Sequence, residues 1–299
     1  MPKDRILNLL HLHFIVFIWG FTAILGKLIT IDSMPLVWIR MGLATGFIAM
    51  YIYFSKFSLK VTKQTFLWLL GGGIVVALHW VTFFLAIKVS TVSVALAMMS
   101  TGAFFTALME PFWYGRKIIA YEILFGLLVI VGLYLIFKVE TAYVYGMSIA
   151  LVSAFLAAVF SLINGKLVQN HRPSIISFYE LGMGVLFLTI LLAIQGDFGL
   201  QLVILPTMDW VYLVILALIC TAYAFIASVK IMKVLTPYTV MLTTNLEPVY
   251  GIILAWFIFG AEEEMKPMFY VGAMIILSTV IANGILKQRA NFKKRVPKI

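Results

Sequence analysis

The stretch Lys88-Val89-Ser90-Thr91 recurs 145 residues later as Lys233-Val234-Leu235-Thr236. The same offset, without a gap, also aligns Phe112 with Phe257. The aligned positions lie in or beside long apolar stretches, and each half of the chain carries five such stretches. An odd number of membrane spans in each half would place the second half upside down relative to the first. The sequence therefore predicts two inverted halves.

The composition indicates a membrane protein. The 299 residues are 63% hydrophobic and only 11% charged, and the mean hydropathy is +1.08. Soluble domains carry roughly 45–50% apolar and about 25% charged residues. The apolar runs are about 20 residues long, which is the length of helix that crosses the bilayer core. Backbone groups in lipid need hydrogen bonds within their own segment, so we expect an all-α integral membrane protein.

Ten transmembrane helices are predicted, arranged as two inverted five-helix repeats. Residues 1–139 form the first repeat, and residues 140–299 form the second repeat together with a basic tail. The connections are too short for a separate catalytic domain. The predicted spans are 10–31, 35–54, 65–87, 90–113, 119–137, 144–164, 175–195, 209–229, 236–259 and 268–286.

The Lys and Arg residues of the loops predict the orientation. Lys88, Lys138 and Lys266 lie on one side of the predicted topology, and most of the 22 Lys and Arg residues lie on the other. The positive-inside rule places the basic side, with both termini, in the cytoplasm. These loops and the basic tail explain the net charge of +10, so we expect no nucleic-acid partner. The basic side holds Lys3, Arg5, Lys56, Lys60, Lys63, Arg116, Lys117, Lys166, Arg172, Lys230, Lys233 and the tail 287–298.

Signatures of catalysis are missing from the sequence. There is no H-E-x-x-H, no G-x-S-x-G and no phosphate-binding G-x-x-x-x-G-K-[ST], and Cys220 is the single cysteine. We therefore expect no enzymatic activity, no cofactor and no metal site.

Ionisable residues inside the predicted spans are candidates for function, because burying them in a membrane is costly. Arg40 in span two and Glu180 in span seven superpose at an offset of 140. Either residue could meet substrate or a proton, but both lie near a span end. The favoured interpretation is therefore that they are structural or coupling charges.

Span nine carries the polar sequence Thr243-Thr244-Asn245-Leu246-Glu247-Pro248. A proline removes one helix hydrogen bond, and interrupted helices near mid-membrane often form transporter sites. Substrate binding and helix packing are both open interpretations of Asn245 and Glu247. We expect a helix break at Pro248, whereas the equivalent position in span four is Ala103.

Two stretches of the sequence carry recognisable motifs. The first is Ile18-Trp19-Gly20-Phe21 followed by Lys27, Pro35 and Arg40. The second is Ala86-Ile87-Lys88 with span four, whose counterpart runs from Pro248 through Gly260 to Glu262. In these motifs the sequence resembles the EamA family of the drug/metabolite transporter superfamily. Ala103 and Arg116 depart from the family pattern in the first half.

The resemblance implies an inner-membrane transporter of the bacterial plasma membrane, with a central cavity lined mainly by spans one, three, four, six, eight and nine. Family members move small metabolites and often export amino acids or related compounds. On this implied geometry the substrate-binding candidates are Trp19, His79, Phe83, Ser100, Thr101, Ser161, Tyr223, Asn245 and Glu247.

We therefore expect a secondary transporter that exports amino acids or related amphipathic compounds by alternating access. The alternatives are a membrane interaction or sensor protein that retains the fold, and a channel-like facilitator. The expected partners are a small-molecule substrate and the lipid bilayer. Protons are a candidate coupling ion through His79 or Glu247, and facilitated diffusion fits the sequence equally well.

Overall fold

The computed structural model describes residues 3–115 and 120–293. Residues 116–119, which include the predicted basic-side residues Arg116 and Lys117, lie outside the described residues, and so does the end of the basic tail at 294–299. Within the described ranges the secondary structure is helical, without a β-strand.

Helices occupy each of the ten stretches that the sequence predicts as spans. Three of these stretches contain an interruption: α4 and α5 form one, α9 and α10 a second, and α11 and α12 a third. A π-helical turn, Leu218–Tyr223, joins α9 to α10. The helices are α1 Lys3–Leu28, α2 Ser33–Phe54, α3 Lys63–Val89, α4 Val92–Met99, α5 Gly102–Tyr114, α6 Ala120–Val139, α7 Val144–Leu167, α8 Pro173–Gln195, α9 Thr207–Ala217, α10 Ala224–Ile231, α11 Pro237–Thr244, α12 Glu247–Phe259 and α13 Pro267–Lys293.

Eight helical segments among the described residues are long and apolar enough to cross a membrane. They are Ile6–Leu28, Ser33–Phe54, Lys63–Val89, Val92–Tyr114, Thr141–Leu167, Pro173–Gln195, Thr207–Ile231 and Thr239–Glu263. Two shorter apolar helices, Leu124–Val139 and Pro267–Thr279, correspond to the fifth and tenth predicted spans.

The interruptions in α4–α5 and α11–α12 repeat at the offset of 145 seen in the sequence, with the same helix bounds in both copies. Each is a turn of i→i−3 hydrogen bonding: Thr101 N donates to Met98 O in the first copy, and Leu246 N donates to Thr243 O in the second. Pro248 lies just after the second turn, and the first turn forms with Ala103 in the equivalent place. A proline is therefore not required for the interruption.

Buried polar contacts hold one end of the helical bundle together. Glu263 is 1% exposed, and it accepts hydrogen bonds from Lys27 Nζ at 3.0 Å, Val92 N at 3.1 Å and Ser93 N at 2.8 Å. The carboxylate thus caps the N-terminus of α4, where unpaired N–H groups favour an anion. We call this the Glu263 end.

At the opposite end Thr65 Oγ1 and His171 Nε2 are 3.2 Å apart, and Tyr179 OH donates to Leu59 O at 2.8 Å. We call this the His171 end.

Glycines allow close packing between the central helices. A Cβ on Gly73 of α3 would meet Met183 Cβ at 2.9 Å and Gly184 N of α8 at 3.1 Å. On the periphery α6 packs against α13, and a Cβ on Gly132 would lie 2.9 Å from Gly272 O. These contacts hold the helices around a cavity in the middle of the bundle.

Candidate functional site: a cavity inside the helical bundle

The cavity lies among helices α1, α2, α3, α4, α7, α10, α11 and α12. Its volume is about 110 Å³, whereas a single water needs roughly 10–15 Å³. It reaches Met232 and Val240 in the direction of the His171 end. The lining residues are Trp19, Thr22, Arg40, Val76, His79, Trp80, Phe83, Met99, Ala157, Phe160, Ser161, Phe225, Ser228, Met232, Val240, Met241, Thr244, Asn245, Glu247 and Pro248.

Phe, Trp and Met side chains make up eight of the twenty residues that line the cavity. Trp80 of α3 meets Phe225 of α10 edge-on with ring centroids 5.8 Å apart, and Phe225 also lies 5.2 Å from Phe160 of α7. Aromatic pairs of this geometry link the three helices. A wall of rings and flexible thioethers suits the apolar part of a small molecule.

Arg40 is a buried cation on this cavity. Its side chain is 2% exposed, and its Cζ lies 4.0 Å from the centroid of Trp80 and 5.4 Å from that of Phe84. The Nε atom donates to Thr221 Oγ1 at 2.6 Å. Nη1 is buried without a hydrogen-bond partner.

Other polar groups on the cavity also lack protein partners. The buried atoms Ser161 Oγ and Asn245 Nδ2 make no hydrogen bond. Among the described residues none donates a hydrogen bond to the Glu247 carboxylate, and no ion pair within 4 Å joins Glu247 to Arg40. Because buried polar groups are normally paired, unpaired groups gathered on one cavity indicate a site for a polar ligand.

His79 bridges two helices beside the cavity. Its Nδ1 lies 2.8 Å from Ser153 Oγ and 3.0 Å from Ser153 O, and Ser153 Oγ in turn donates to His79 O at 2.8 Å. These bonds fix the imidazole of α3 against α7 and leave Nε2 as its second polar atom.

The π-helical turn Leu218–Tyr223 orients cavity residues from two other helices. Trp19 Nε1 of α1 donates to Cys220 O at 3.2 Å. Thr221 Oγ1 donates to Leu216 O at 2.7 Å and accepts from Arg40 of α2. π-Helical turns are uncommon and occur frequently at functional sites.

The structure brings six of the nine substrate-binding candidates, and Pro248, to the cavity: Trp19, His79, Phe83, Ser161, Asn245 and Glu247. Ser100 and Thr101 do not line it, and their hydroxyls donate to Ala97 O at 2.5 Å and Met98 O at 2.7 Å of their own helix. Tyr223 is 44% exposed and its hydroxyl lies 2.9 Å from His11 Nε2, away from the cavity.

The two charges that superpose at an offset of 140 occupy different surroundings. Arg40 lines the cavity, whereas Glu180 is fully buried between α3, α7 and α8. The Glu180 carboxylate accepts from Asn164 Nδ2 at 3.0 and 3.2 Å, and it abuts Gly72 so closely that a Cβ there would clash. Glu180 therefore belongs to the packing of three helices and not to the cavity wall.

Sequence reasoning missed Trp80, Phe160 and Phe225, and it did not place Arg40 on the cavity. A signal existed for Trp80: Val76, His79, Trp80 and Phe83 follow the i, i+3, i+4, i+7 pattern of one helix face. Among the described residues no group of three or more His, Cys, Asp or Glu is placed to hold a metal ion.

The helices and the cavity define a class, a multi-pass membrane protein with a polar site inside its bundle. The family model of the EamA-like transporter family matches residues 9–138 and 144–285. The chain therefore belongs to the EamA-like transporter family.

Two further comparisons found similar proteins. An uncharacterized transporter of Archaeoglobus fulgidus is 24% identical over 153 residues, which are 51% of this chain and 53% of that protein. The match thus spans about half the length of the relative. A solved crystal structure is similar with a TM-score of 0.65 at 14% identity, over 93% of this chain and 97% of that chain, and it supports the fold alone.

Proposed function

We propose that this protein is a secondary transporter that exports small amphipathic metabolites, of the amino-acid type, by alternating access. The observation that carries the proposal is the cavity, in which aromatic walls surround polar groups without protein partners. Apolar walls with a few polar groups are the usual form of a small-molecule site.

The repeated helix interruptions support the mechanism. They occur at equivalent positions of α4–α5 and α11–α12, and Met99, Thr244, Asn245, Glu247 and Pro248 beside them line the cavity. Two inverted halves of five helices each would rock about this site and expose it to one side and then to the other. The loop charges favour an orientation in a bacterial inner membrane in which the His171 end faces the cytoplasm.

A comparison of metabolites inside and outside overproducing cells tests the proposal. We expect at least one small amphipathic compound to accumulate in the medium of cells with the wild-type protein and not in cells with Asn245→Ala at equal membrane abundance. If no compound is redistributed, or if Asn245→Ala redistributes it equally, export through this cavity is contradicted.

His79 and Glu247 both line the cavity and are the candidates for proton coupling. Coupling has a test of its own: we expect the rate of efflux from proteoliposomes to rise when a pH gradient is imposed. An unchanged rate would remove coupling and leave facilitated diffusion through the same site.

A further inference from the structure

Arg40 carries hydrogen-bonding capacity that the protein leaves unused. Two aromatic rings and one hydroxyl contact its guanidinium, and Nη1 remains buried and unpaired. In the part of the chain that the structure describes, no carboxylate forms an ion pair with it. A buried charge is costly unless it is paired and fully hydrogen-bonded. The missing acceptor therefore fits a group that arrives through the cavity.

The π-helical turn fixes the direction of this cation. Thr221 Oγ1 donates its proton to Leu216 O, so the oxygen is free to accept from Arg40 Nε. The ring of Trp80 packs against the guanidinium, with its centroid 4.0 Å from Cζ. With Nε bound and this ring in contact, the guanidinium is preorganised for an acceptor at the unpaired Nη1.

We propose that Arg40 is an anion-binding subsite of the cavity, where a carboxylate of the transported compound docks, and that Thr221 is the residue that positions it. The inference rests on the proposed transport function and names the residues that would bind the carboxylate of the transported compound. Arginine pairs with carboxylates through parallel N–H···O bonds of matching geometry. The rings of Phe83, Phe160 and Phe225 on the same cavity accommodate an apolar body.

Glu247 adds a second polar group to the same cavity. Among the described residues none donates a hydrogen bond to its carboxyl group. Its carboxyl oxygens are therefore available to accept from an amine of the bound compound. Arg40 and Glu247 together favour a compound with one carboxylate, one amine and an apolar side chain.

The test uses proteoliposomes of the purified full-length protein, loaded with L-leucine, L-methionine and L-phenylalanine. The same vesicles contain the carboxamide and the decarboxylated amine of each amino acid, and efflux is followed by mass spectrometry. We expect the wild-type protein to move the acids in preference to their amides and amines. Arg40→Gln should lower acid efflux at subsaturating load by about tenfold or more and leave no preference for acids.

Two matched pairs separate this role from a general loss of structure. Arg172→Gln removes an exposed arginine at the His171 end, beside Phe57, and should keep the acid preference. Thr221→Val keeps the side-chain shape without the hydroxyl and should lower acid efflux by about fivefold, whereas Thr221→Ser keeps the hydroxyl and should retain it. Gel filtration in detergent shows whether each variant is folded.

If wild-type vesicles release amides and amines as fast as acids, or if folded Arg40→Gln keeps the preference, the subsite is overturned while transport stands. If Arg40→Gln does not fold, equal efflux by Thr221→Val and Thr221→Ser overturns the positioning role and the subsite with it. If no compound leaves wild-type vesicles, the inference and the proposed function both fall.

Discussion

Asn245 and Asn164 are both buried, but their amides have different surroundings. Asn164 Nδ2 donates to both oxygens of Glu180, at 3.0 and 3.2 Å. Asn245 Nδ2 has no hydrogen-bond partner and its residue lines the cavity. Asn164 pairs a buried carboxylate, so we expect it to stabilise the fold, whereas the unpaired amide of Asn245 on the cavity is available to a ligand.

We predict opposite effects of alanine at these two positions. Asn164→Ala should lower the free energy of unfolding by about 1–3 kcal/mol, because the Glu180 carboxylate is left buried without a donor. Asn245→Ala should leave the melting temperature in detergent nearly unchanged and lower the rate of efflux. Equal losses of melting temperature in the two variants would contradict this assignment.

At the scale of single elements, the glycines of α3 differ in what they face. A Cβ on Gly72 would clash with Glu180 Oε1 of α8 and lie 3.1 Å from its Cδ, whereas a Cβ on Gly71 would meet nothing within 4 Å. Because Glu180 is held by Asn164, it has little room to move away. The contact between α3 and α8 therefore depends on Gly72.

We predict that Gly72→Ala destabilises the protein by about 1–3 kcal/mol through overpacking. Gly71→Ala, one position earlier in the same helix, is the matched control, and it should be neutral or slightly stabilising because alanine favours helix. The melting temperatures of the two variants in detergent check this. A neutral Gly72→Ala would show that α8 shifts without cost.

We expect the Glu263 carboxylate, which caps α4, to hold the Glu263 end of the bundle closed. Glu263 binds Lys27 and the backbone N–H groups of Val92 and Ser93. The side chain of Glu262 is 73% exposed and forms an ion pair with Lys27 at 3.1 Å. Exposed ion pairs contribute little to stability, whereas breaking a buried pair costs about 3–5 kcal/mol. The two neighbouring glutamates should therefore respond differently to substitution.

We predict that Glu263→Gln opens the cavity toward the Glu263 end and Glu262→Gln does not. The measurement is labelling of Thr22→Cys, in a Cys220→Ser background, by an impermeant maleimide added outside intact cells. Thr22 lines the cavity, so its labelling should rise several-fold with Glu263→Gln only. The same labelling in both variants would mean that Glu263 does not hold this end closed.

For the whole molecule, alternating access requires that the Glu263 end opens during each cycle. Lys27 belongs to α1, and Glu263 follows α12, so their ion pair joins the first and second halves of the chain. We predict that linking Lys27→Cys to Glu263→Cys with a reducible bifunctional reagent stops efflux and that reduction restores it. The two single-cysteine variants treated alike are the control, and full efflux by the linked protein would contradict rocking at this end.

The sequence was sufficient to predict the helical stretches, because long apolar runs have one stable form in lipid. It was less informative about where side chains point. The hydroxyls of Ser100 and Thr101 donate to carbonyls of their own helix. Ser and Thr often form such local bonds, and the pattern of polar residues in a sequence does not show which of them do. Arg40 lies only seven residues into α2, and a charged residue so near the end of a span is expected to reach the solvent. In the structure it is buried against the ring of Trp80. Its surroundings are formed by α3 and by the turn between α9 and α10, which are distant in sequence, so the residues around Arg40 in the sequence do not predict them.

The π-helical turn at Leu218–Tyr223 accommodates one residue more than a regular α-helix would need for the same rotation. The helices α9 and α10 therefore keep a common phase across the turn. Deleting a single residue there would restore an unbroken α-helix and leave Phe225 and Ser228 on the cavity side. The deletion would remove the local geometry that presents Cys220 O to Trp19 and Thr221 Oγ1 to Arg40. A one-residue deletion in this transmembrane segment would thus keep the helix in place and change the orientation of two cavity residues.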